Sequence, residues 1–391
     1  MDNNTTIVCF AGCDWWYHNR GLFVPQVMSR IAKHKRVLFI NSIGMRTPNI
    51  KDDKDALIKI LRKLASVSKF LRKDKDSGMY IFSPLSVPLK SRLGKKVNHF
   101  FLRLQTNLVL RFLGISKPIY YIGSPPAWEI VKNKRYSYLI YERTDIFSEM
   151  PGVDKPYIEK LDNELMQSAN LVLYVNTRMW EDGMKFNKNS LLIGHGVDYN
   201  LFSRAAESKF SPKDISDIPK PIIGFFGDIT PETSDLSLLK YIATKLPNMS
   251  LVLVGPISTD ISELKTLDNI FFLGPKPYDL IPHYGKYFDV SIMAWEKNRW
   301  IELCNPVKMK EYLALANPIV TTRYPEAEQY SQLIYIADDY DDFVNKVKIA
   351  VKEDNDLIRE RRRQAVVNET WDHKVNEILE YIYSGHDDNC H

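Results

Sequence analysis

No stretch of this sequence approaches the ~18 consecutive apolar residues that a membrane-crossing helix requires, so a bilayer span is not expected. Cysteine is scarce, with four in 391 residues. Cys9, Cys13, Cys304 and Cys390 lack the paired spacing of a zinc site, and neither a disulfide nor a metal is expected. The opening MDNNTTIVCFAGCDWW has no basic n-region followed by an apolar stretch and a small-residue cleavage site, which points away from a secretory leader and toward the cytoplasm. No G-x-G-x-x-G follows the first strand of either half, which disfavours a dinucleotide-dependent oxidoreductase. Acid is missing from one long segment. Between Ser77 and Trp128 there is no Asp or Glu, while Lys90, Arg92, Lys95, Lys96, Arg103, Arg111 and Lys117 all fall inside. Such a block should attract an anionic surface. It carries a broad apolar helix in place of a known nucleic-acid module, so nucleic acid is disfavoured as the partner.

What the sequence does contain is an alternation of apolar β-rich runs and helical patterns through both halves, the pattern of parallel sheets covered by helices. The length suits two such α/β domains, at ~100–200 residues each. Strands are expected at Thr6–Phe10, Val37–Ile40, Ile119–Ile122, Ser137–Tyr141, Leu171–Val175 and Ser190–Ile193, with a helix from about Pro25 to Lys33. A second series follows at Ile222–Phe226, Leu251–Val254, Ile270–Leu273, Asp289–Met293 and Ile319–Thr321. Thr47–Gly78 reads as a Lys-rich helical insertion, and Ser203–Pro221, with its prolines and charges, as the interdomain linker. Gly227, Gly255 and Gly274 each stand where a strand should end, the edge at which open α/β sheets bind ligands.

The stretch Asn305-Pro306-Val307-Lys308-Met309-Lys310-Glu311 is the most informative. Asn305 as N-cap and Pro306 at the first helical position would start a helix cleanly. First-turn amides and the positive dipole end there would draw a diphosphate, with Lys308 adding a full charge. Glu311, one turn on and on the same face, is placed to accept two ribose hydroxyls. A surface helix with an exposed Lys–Glu pair fits those two residues equally well.

NPVK followed by EYLALANPIV resembles the donor-site helix of the GT-B-fold glycosyltransferases, in particular the glycosyltransferase group 1 donor domain. Gly194-His195-Gly196-Val197-Asp198 with Phe202 resembles the segment that precedes that domain. Asn269–Tyr278 resembles the strand and loop that hold the base, and Trp371-Asp372 the start of the last helix. The matches run in order over most of Ile193–Ile382. They imply two Rossmann-like domains facing a cleft, residues 1–205 for the acceptor and 206–370 for a nucleotide-sugar donor, with 371–391 crossing back to the first. They imply a UDP-sugar as the expected donor. They also imply donor contacts from Lys308, Glu311, Asn305, Gly227, Lys276 and Tyr278, with no cofactor and no metal.

Two departures stand out. The position eight before Glu311 is Leu303, with Glu302 beside it, where many relatives carry a second glutamate. Gly227 is followed by Asp228-Ile229-Thr230-Pro231 in place of Arg and Lys. Phosphate binding would then lean on Lys308, the helix end, and Arg299 or His195, although His195 also fits a packed loop residue.

Transfer to a hydroxyl needs a base. Tyr141-Glu142-Arg143-Thr144-Asp145 resembles a stretch in the membrane-associated, xanthan glucuronosyltransferase-like branch whose corresponding Asp is the base. That implies Asp145 for the role and favours inversion, while a helix N-cap is its alternative. In the loop Gly12–Arg20, His18 is a second candidate base, and Trp15 and Trp16 either stack on a sugar or pack the loop. Asp53-Lys54-Asp55 and Asp74-Lys75-Asp76 read as solvated charge runs, not metal motifs. The apolar stripe at 97, 101, 104, 108 and 112 either lies on an anionic membrane or is buried in the first domain. The first option suits a glycan or polyprenyl-diphosphate-linked acceptor, cell-surface polysaccharide synthesis, and a place on the inner face of the cell membrane. A nucleotide-sugar epimerase and a non-catalytic partner of the same fold are the rival readings.

Overall fold

The computed structural model describes residues 5–17, 21–44, 56–86, 91–150, 152–353 and 355–384. The chain divides into two compact units, one made of the residues up to Gly194 with those from Lys374 on, the other of His195–His373. The first unit holds an eight-stranded sheet. Its strands are β1 (Ile7–Phe10), β2 (Val37–Ile40), β3 (Leu71–Lys73), β4 (Tyr80–Phe82), β5 (Ile119–Ile122), β6 (Tyr138–Arg143), β7 (Leu171–Tyr174) and β8 (Ser190–Leu192). Their order is β3-β4-β2-β1-β5-β6-β7-β8. All pairs are parallel except β3 with β4.

The second unit holds a parallel six-stranded sheet of β9 (Ile222–Phe226), β10 (Ser250–Val254), β11 (Ile270–Gly274), β12 (Val290–Met293), β13 (Ile319–Thr322) and β14 (Tyr335–Ala337). Their order is β11-β10-β9-β12-β13-β14. Strands such as Ile-Ile-Gly-Phe-Phe and Ser-Leu-Val-Leu-Val are buried at every position, because helices cover both faces of a parallel sheet. Gly224 lets Phe288 pack on β9, since a Cβ there would sit 2.0 Å from its ring.

Several expectations are corrected. The segment read as a linker is partly helical and belongs to the second unit. Tyr199–Glu207 forms a helix that buries Phe202 and Ala205, and Lys213–Ser216 forms a short one. The described part of the Lys-rich insertion is the helix Ala56–Val67, followed by the antiparallel edge strand β3. The change of unit falls at His195, and the chain rejoins the first unit at Lys374, inside the helix Trp371–Ser384.

The amphipathic helix runs over Arg92–Phe112, and the stripe read from the sequence is its exposed side. Leu102, Thr106, Val109 and Leu110 form the buried side, so the helix is apolar on two faces. No helix among the described residues is long and apolar enough to cross a membrane.

Candidate functional site

In the second unit the strand order reverses between β9 and β12, the point at which open sheets bind ligands beyond their strand ends. Gly227, just after β9, has φ +142°, and Gly255, just after β10, has φ +148°. Both lie where only glycine is comfortable. A Cβ on Gly227 would fall 2.0 Å from Lys308 Cε, and one on Gly255 would fall 2.0 Å from the Gly227 carbonyl oxygen. The two glycines therefore bring the strand-end loops together, with the Lys308 side chain laid over Gly227.

Lys308 is the second residue of the helix Val307–Ala314. That helix is fixed to the sheet by Tyr312, whose hydroxyl accepts from the Phe226 amide at 3.0 Å. Asn317 Nδ2 holds its far end, donating to the Gly285 carbonyl at 2.8 Å and to Ser291 Oγ at 2.9 Å. Pro306, and not Asn305, is the N-cap, and Pro306 has no side-chain acceptor to give the first-turn amides. Asn305 stands one residue outside, because Pro306 takes extended angles and the helical turn begins after it. The first-turn amides and Lys308 thus present positive charge at the Gly227 edge.

Glu311 lies one turn further along and is only 5% exposed. Burial pushes its carboxyl up to about 7, the charge of Lys308 and a hydrogen bond from Tyr278 pull it down, and Asp198 pushes it up again. The Tyr278 hydroxyl donates to Glu311 Oε1 at 3.3 Å, and the Tyr278 ring meets Phe202 edge-on at 6.1 Å. The structure thus gathers Gly227, Lys308, Glu311 and Tyr278, and it adds Asp198. Glu302 is exposed, so the carboxyl near Glu311 comes from the Gly194–Asp198 segment and not from the second-glutamate position.

Three other expected contacts are placed differently. Lys276 Nζ is 2.6 Å from Asp214 Oδ2, which uses its charge to tie the short helix Lys213–Ser216 to the loop after β11. His195 keeps a neutral imidazole, since burial pushes it down to about 3 with Lys310 adding, so it brings no positive charge to a phosphate. Its ring meets Trp371 edge-on at 6.2 Å, while its carbonyl accepts from Lys310. Gly196 leaves room for Trp371, which would lie 2.6 Å from a Cβ there, and Val197 pairs with Thr370. The two flanking motifs of the sequence therefore pack on each other. Arg299 is exposed at the start of the four-residue helix Arg299–Glu302.

In the first unit Asp145 lies two residues beyond the end of β6 and is partly exposed. The next turn, Phe147–Glu149, is capped by Ile146, so Asp145 is not an N-cap. Neighbouring Arg143 is committed to Asp162, with Nε at 3.0 Å and Nη2 at 2.9 Å from Oδ2. His18 lies outside the described residues. Trp15 and Trp16 pack the loop. The Trp15 indole donates to Asp74 Oδ1 at 3.2 Å, the Trp16 indole to Ser83 Oγ at 3.3 Å, and Lys69 Nζ sits 4.2 Å over the Trp16 ring. Asp74 is accordingly a buried structural acceptor and not part of a solvated charge run. Asp53 and Asp55 lie outside the described residues.

One residue that sequence reading passed over is Glu142. It is 1% exposed within β6, and burial pushes its carboxyl up to about 8. A charged residue inside the apolar run Tyr-Leu-Ile-Tyr-Glu-Arg was the available signal.

These two sheets, parallel but for the β3–β4 pair, define a GT-B fold, the architecture of a large class of glycosyltransferases. Among solved structures, sucrose-phosphate synthase from Thermosynechococcus elongatus matches with a TM-score of 0.70 at 12% identity, covering 99% of this chain and 100% of that one. Anabaena Alr3699/HepE in complex with UDP matches with a TM-score of 0.64 at 14% identity, covering 97% and 100%. By sequence, a Bacillus subtilis protein provisionally named as the teichuronic acid biosynthesis glycosyltransferase TuaH is 28% identical over 199 residues. That alignment takes in 48% of this chain and 49% of the relative, so about half the length of the curated relative is matched. No protein-family model matches the chain.

Proposed function

We propose that this chain is a glycosyltransferase that takes a sugar from a UDP-sugar and passes it to a hydroxyl of a glycan or polyprenyl-diphosphate-linked acceptor in cell-surface polysaccharide synthesis. The observation that carries the reading is Lys308 laid over Gly227, with Glu311 and Tyr278 one turn away. This is a cation and helix-end amides for a diphosphate, a carboxylate for ribose hydroxyls and an aromatic for a base. The UDP complex of the HepE structure supports uridine, and the name of the Bacillus relative supports the polysaccharide role.

In this scheme the electron pair of the broken sugar–phosphate bond leaves with UDP, where Lys308 and the helix end stabilise it. Asp145 accepts the acceptor's proton. We assign no metal a part: the cationic work falls to Lys308, and Asp74 is already engaged with Trp15 and Ser77. A thermal-shift panel of nucleotide sugars tests the reading, because a ligand at 100 times its Kd adds about 2.7 kcal/mol of stability. A UDP-sugar is expected to raise the melting temperature and then to donate to a lipid-diphosphate-linked sugar. Stabilisation by no nucleotide sugar, or only by non-uridine ones, contradicts it.

The acceptor side of the proposal includes a membrane. Leu93, Val97, Phe100, Phe101, Leu104, Leu108 and Phe112 are all exposed and recur at three- and four-residue spacing along the helix Arg92–Phe112. They form a stripe ~30 Å long. Gln105 bonds both backbone groups of Leu85, also exposed, at 2.9 and 3.0 Å, which widens the patch.

The charge argument weakens in three dimensions. Lys95 is 2.7 Å from Asp154, and Arg103 Nη2 is 3.9 Å from Glu129 Oε2, so acids outside the acid-free segment answer part of its charge. At about 1 kcal/mol per basic residue near a membrane, against ~1.5–3 for each large apolar side chain buried, the apolar term dominates. We therefore place this helix in the interfacial layer of the inner membrane face, with anionic lipid as a secondary attraction.

A further inference from the structure

The helix Val307–Ala314 that carries Lys308 and Glu311 also carries Lys310. At about 100° per residue, Lys310 lies roughly 200° round the helix from Lys308, on a flank turned away from the Gly227 edge. It is 4% exposed. Its Nζ is 2.8 Å from Glu369 Oε2 and donates to the His195 carbonyl. Those two partners stand beside the two places where the chain passes between its units, since the second unit begins at His195 and ends at His373. Both crossing segments are also tied to each other. The Val197 amide donates to the Glu369 carbonyl at 2.8 Å, Val197 pairs with Thr370, and Gly196 makes room for Trp371 by having no Cβ.

An apolar side chain would fill the place of Lys310 without desolvating an ammonium, and a buried ion pair is not by itself a source of stability. What the ammonium adds is direction. It holds one carbonyl and one carboxylate at fixed points relative to the helix, so the helix and both crossing segments are pinned at a single atom. The His195 segment runs on to Asp198, whose charge acts on Glu311, so the pinned segment also borders the face that carries Glu311.

Resting on the donor reading of Lys308 and Glu311, we propose that Lys310 is a positioning residue that couples the donor site to the two chain crossings. UDP bound on one flank of the helix steadies the clamp on the other, and the closed clamp holds the helix in the geometry that binds UDP. Such a coupling is reciprocal: the factor by which UDP suppresses opening of the clamp is the factor by which the open clamp weakens UDP.

Hydrogen-exchange mass spectrometry with and without saturating UDP tests this, read at the peptides carrying Val197 and Glu369, with the remote helix Tyr340–Glu353 as control. In the parent, UDP should slow exchange at both peptides by roughly 5–150-fold, the usual range of such couplings, and leave the control helix nearly unchanged. Lys310→Met keeps the length of the side chain and removes the ammonium. It should lose the UDP-dependent protection at both peptides, and its UDP affinity by calorimetry should fall by up to the parent's protection factor and no further. Glu369→Gln, at a partly exposed partner that tolerates change, should fall between the two.

A merely structural Lys310 would raise exchange in the free variant and leave the response to UDP intact. If the parent binds UDP and Lys308→Ala weakens it while Val197 exchange ignores UDP, this inference alone fails. Protection of equal size in the control helix would mark general stabilisation of the unit and overturn the coupling. If the parent binds no UDP, the donor reading fails and the inference with it. The parent's own response decides the matter even if Lys310→Met does not fold.

Discussion

At the scale of single residues, Glu311 is held where folding and binding pull in opposite directions. Its folded-state value of about 7 lies above the ordinary 4.5, so the folded protein binds the extra proton between those values. Stability from this site is therefore lost as pH rises through that window. Glu311→Gln removes the penalty: its stability at pH 8 should exceed the parent's by on the order of 3–4 kcal/mol, at about 1.4 kcal/mol per unit. UDP affinity should nonetheless fall, because an amide is a weaker acceptor for ribose hydroxyls than a carboxylate. Melting curves and calorimetry across pH 5–9 check both parts, and in the parent UDP affinity should rise through pH 7 as the carboxylate forms. A slope shared by parent and variant would remove Glu311 as the cause.

Gly227 gives a second test at this scale. Gly227→Ala would push a methyl into Lys308 Cε at a backbone angle only glycine adopts easily. UDP affinity measured by calorimetry should drop as far as it does in Lys308→Ala. Unchanged affinity would place the diphosphate elsewhere.

At the scale of elements, the helix Arg92–Phe112 is the clearest case in which sequence left two readings open. Its stripe at 97, 101, 104, 108 and 112 has the same periodicity whether it faces a core or a lipid, and only tertiary packing decides. The helix buries the other side, through Leu102, Val109 and Leu110. Replacing Phe100, Phe101, Leu104 and Leu108 with Gln should abolish co-sedimentation with vesicles. Stability should change by less than about 1 kcal/mol, because these side chains are exposed in the folded protein. The parent's binding should persist at high salt and gain modestly from anionic lipid. Vesicle binding by the Gln variant equal to the parent's would move the contact away from this helix.

Other elements divide by a simple physical rule. Central strands were legible because burial on both faces makes them continuous apolar runs. The edge strand β3 and its neighbour β4, three residues each, were not, since such short runs carry no periodic signal. The Lys276–Asp214 pair was not legible because its partners lie 62 residues apart in sequence. The Ser203–Pro221 prolines marked loops correctly, yet Phe202, buried against Phe226, anchors the preceding segment to the second unit.

At the scale of the whole molecule, the fold was read largely from motif order over the second unit, and the likeness to solved structures extends over 99% of the chain. The proposed donor constellation was legible because its parts are marked locally: Lys308 and Glu311 sit on one helix turn, Gly227 follows a strand end, and Tyr278 starts the turn after β11. The first unit gave up less, since Glu142 announces itself only as a charge in an apolar strand and Asp145 depended on resemblance.

The central claim is that the second unit binds the diphosphate of a uridine nucleotide through Lys308, and titration calorimetry with UDP tests it most directly. The parent should bind one UDP per chain, and a folded Lys308→Ala variant should bind about 10–150-fold more weakly, the loss of a charge-assisted hydrogen bond of about 1.5–3 kcal/mol. Absence of UDP binding by the parent, or equal affinity in Lys308→Ala, would contradict the account.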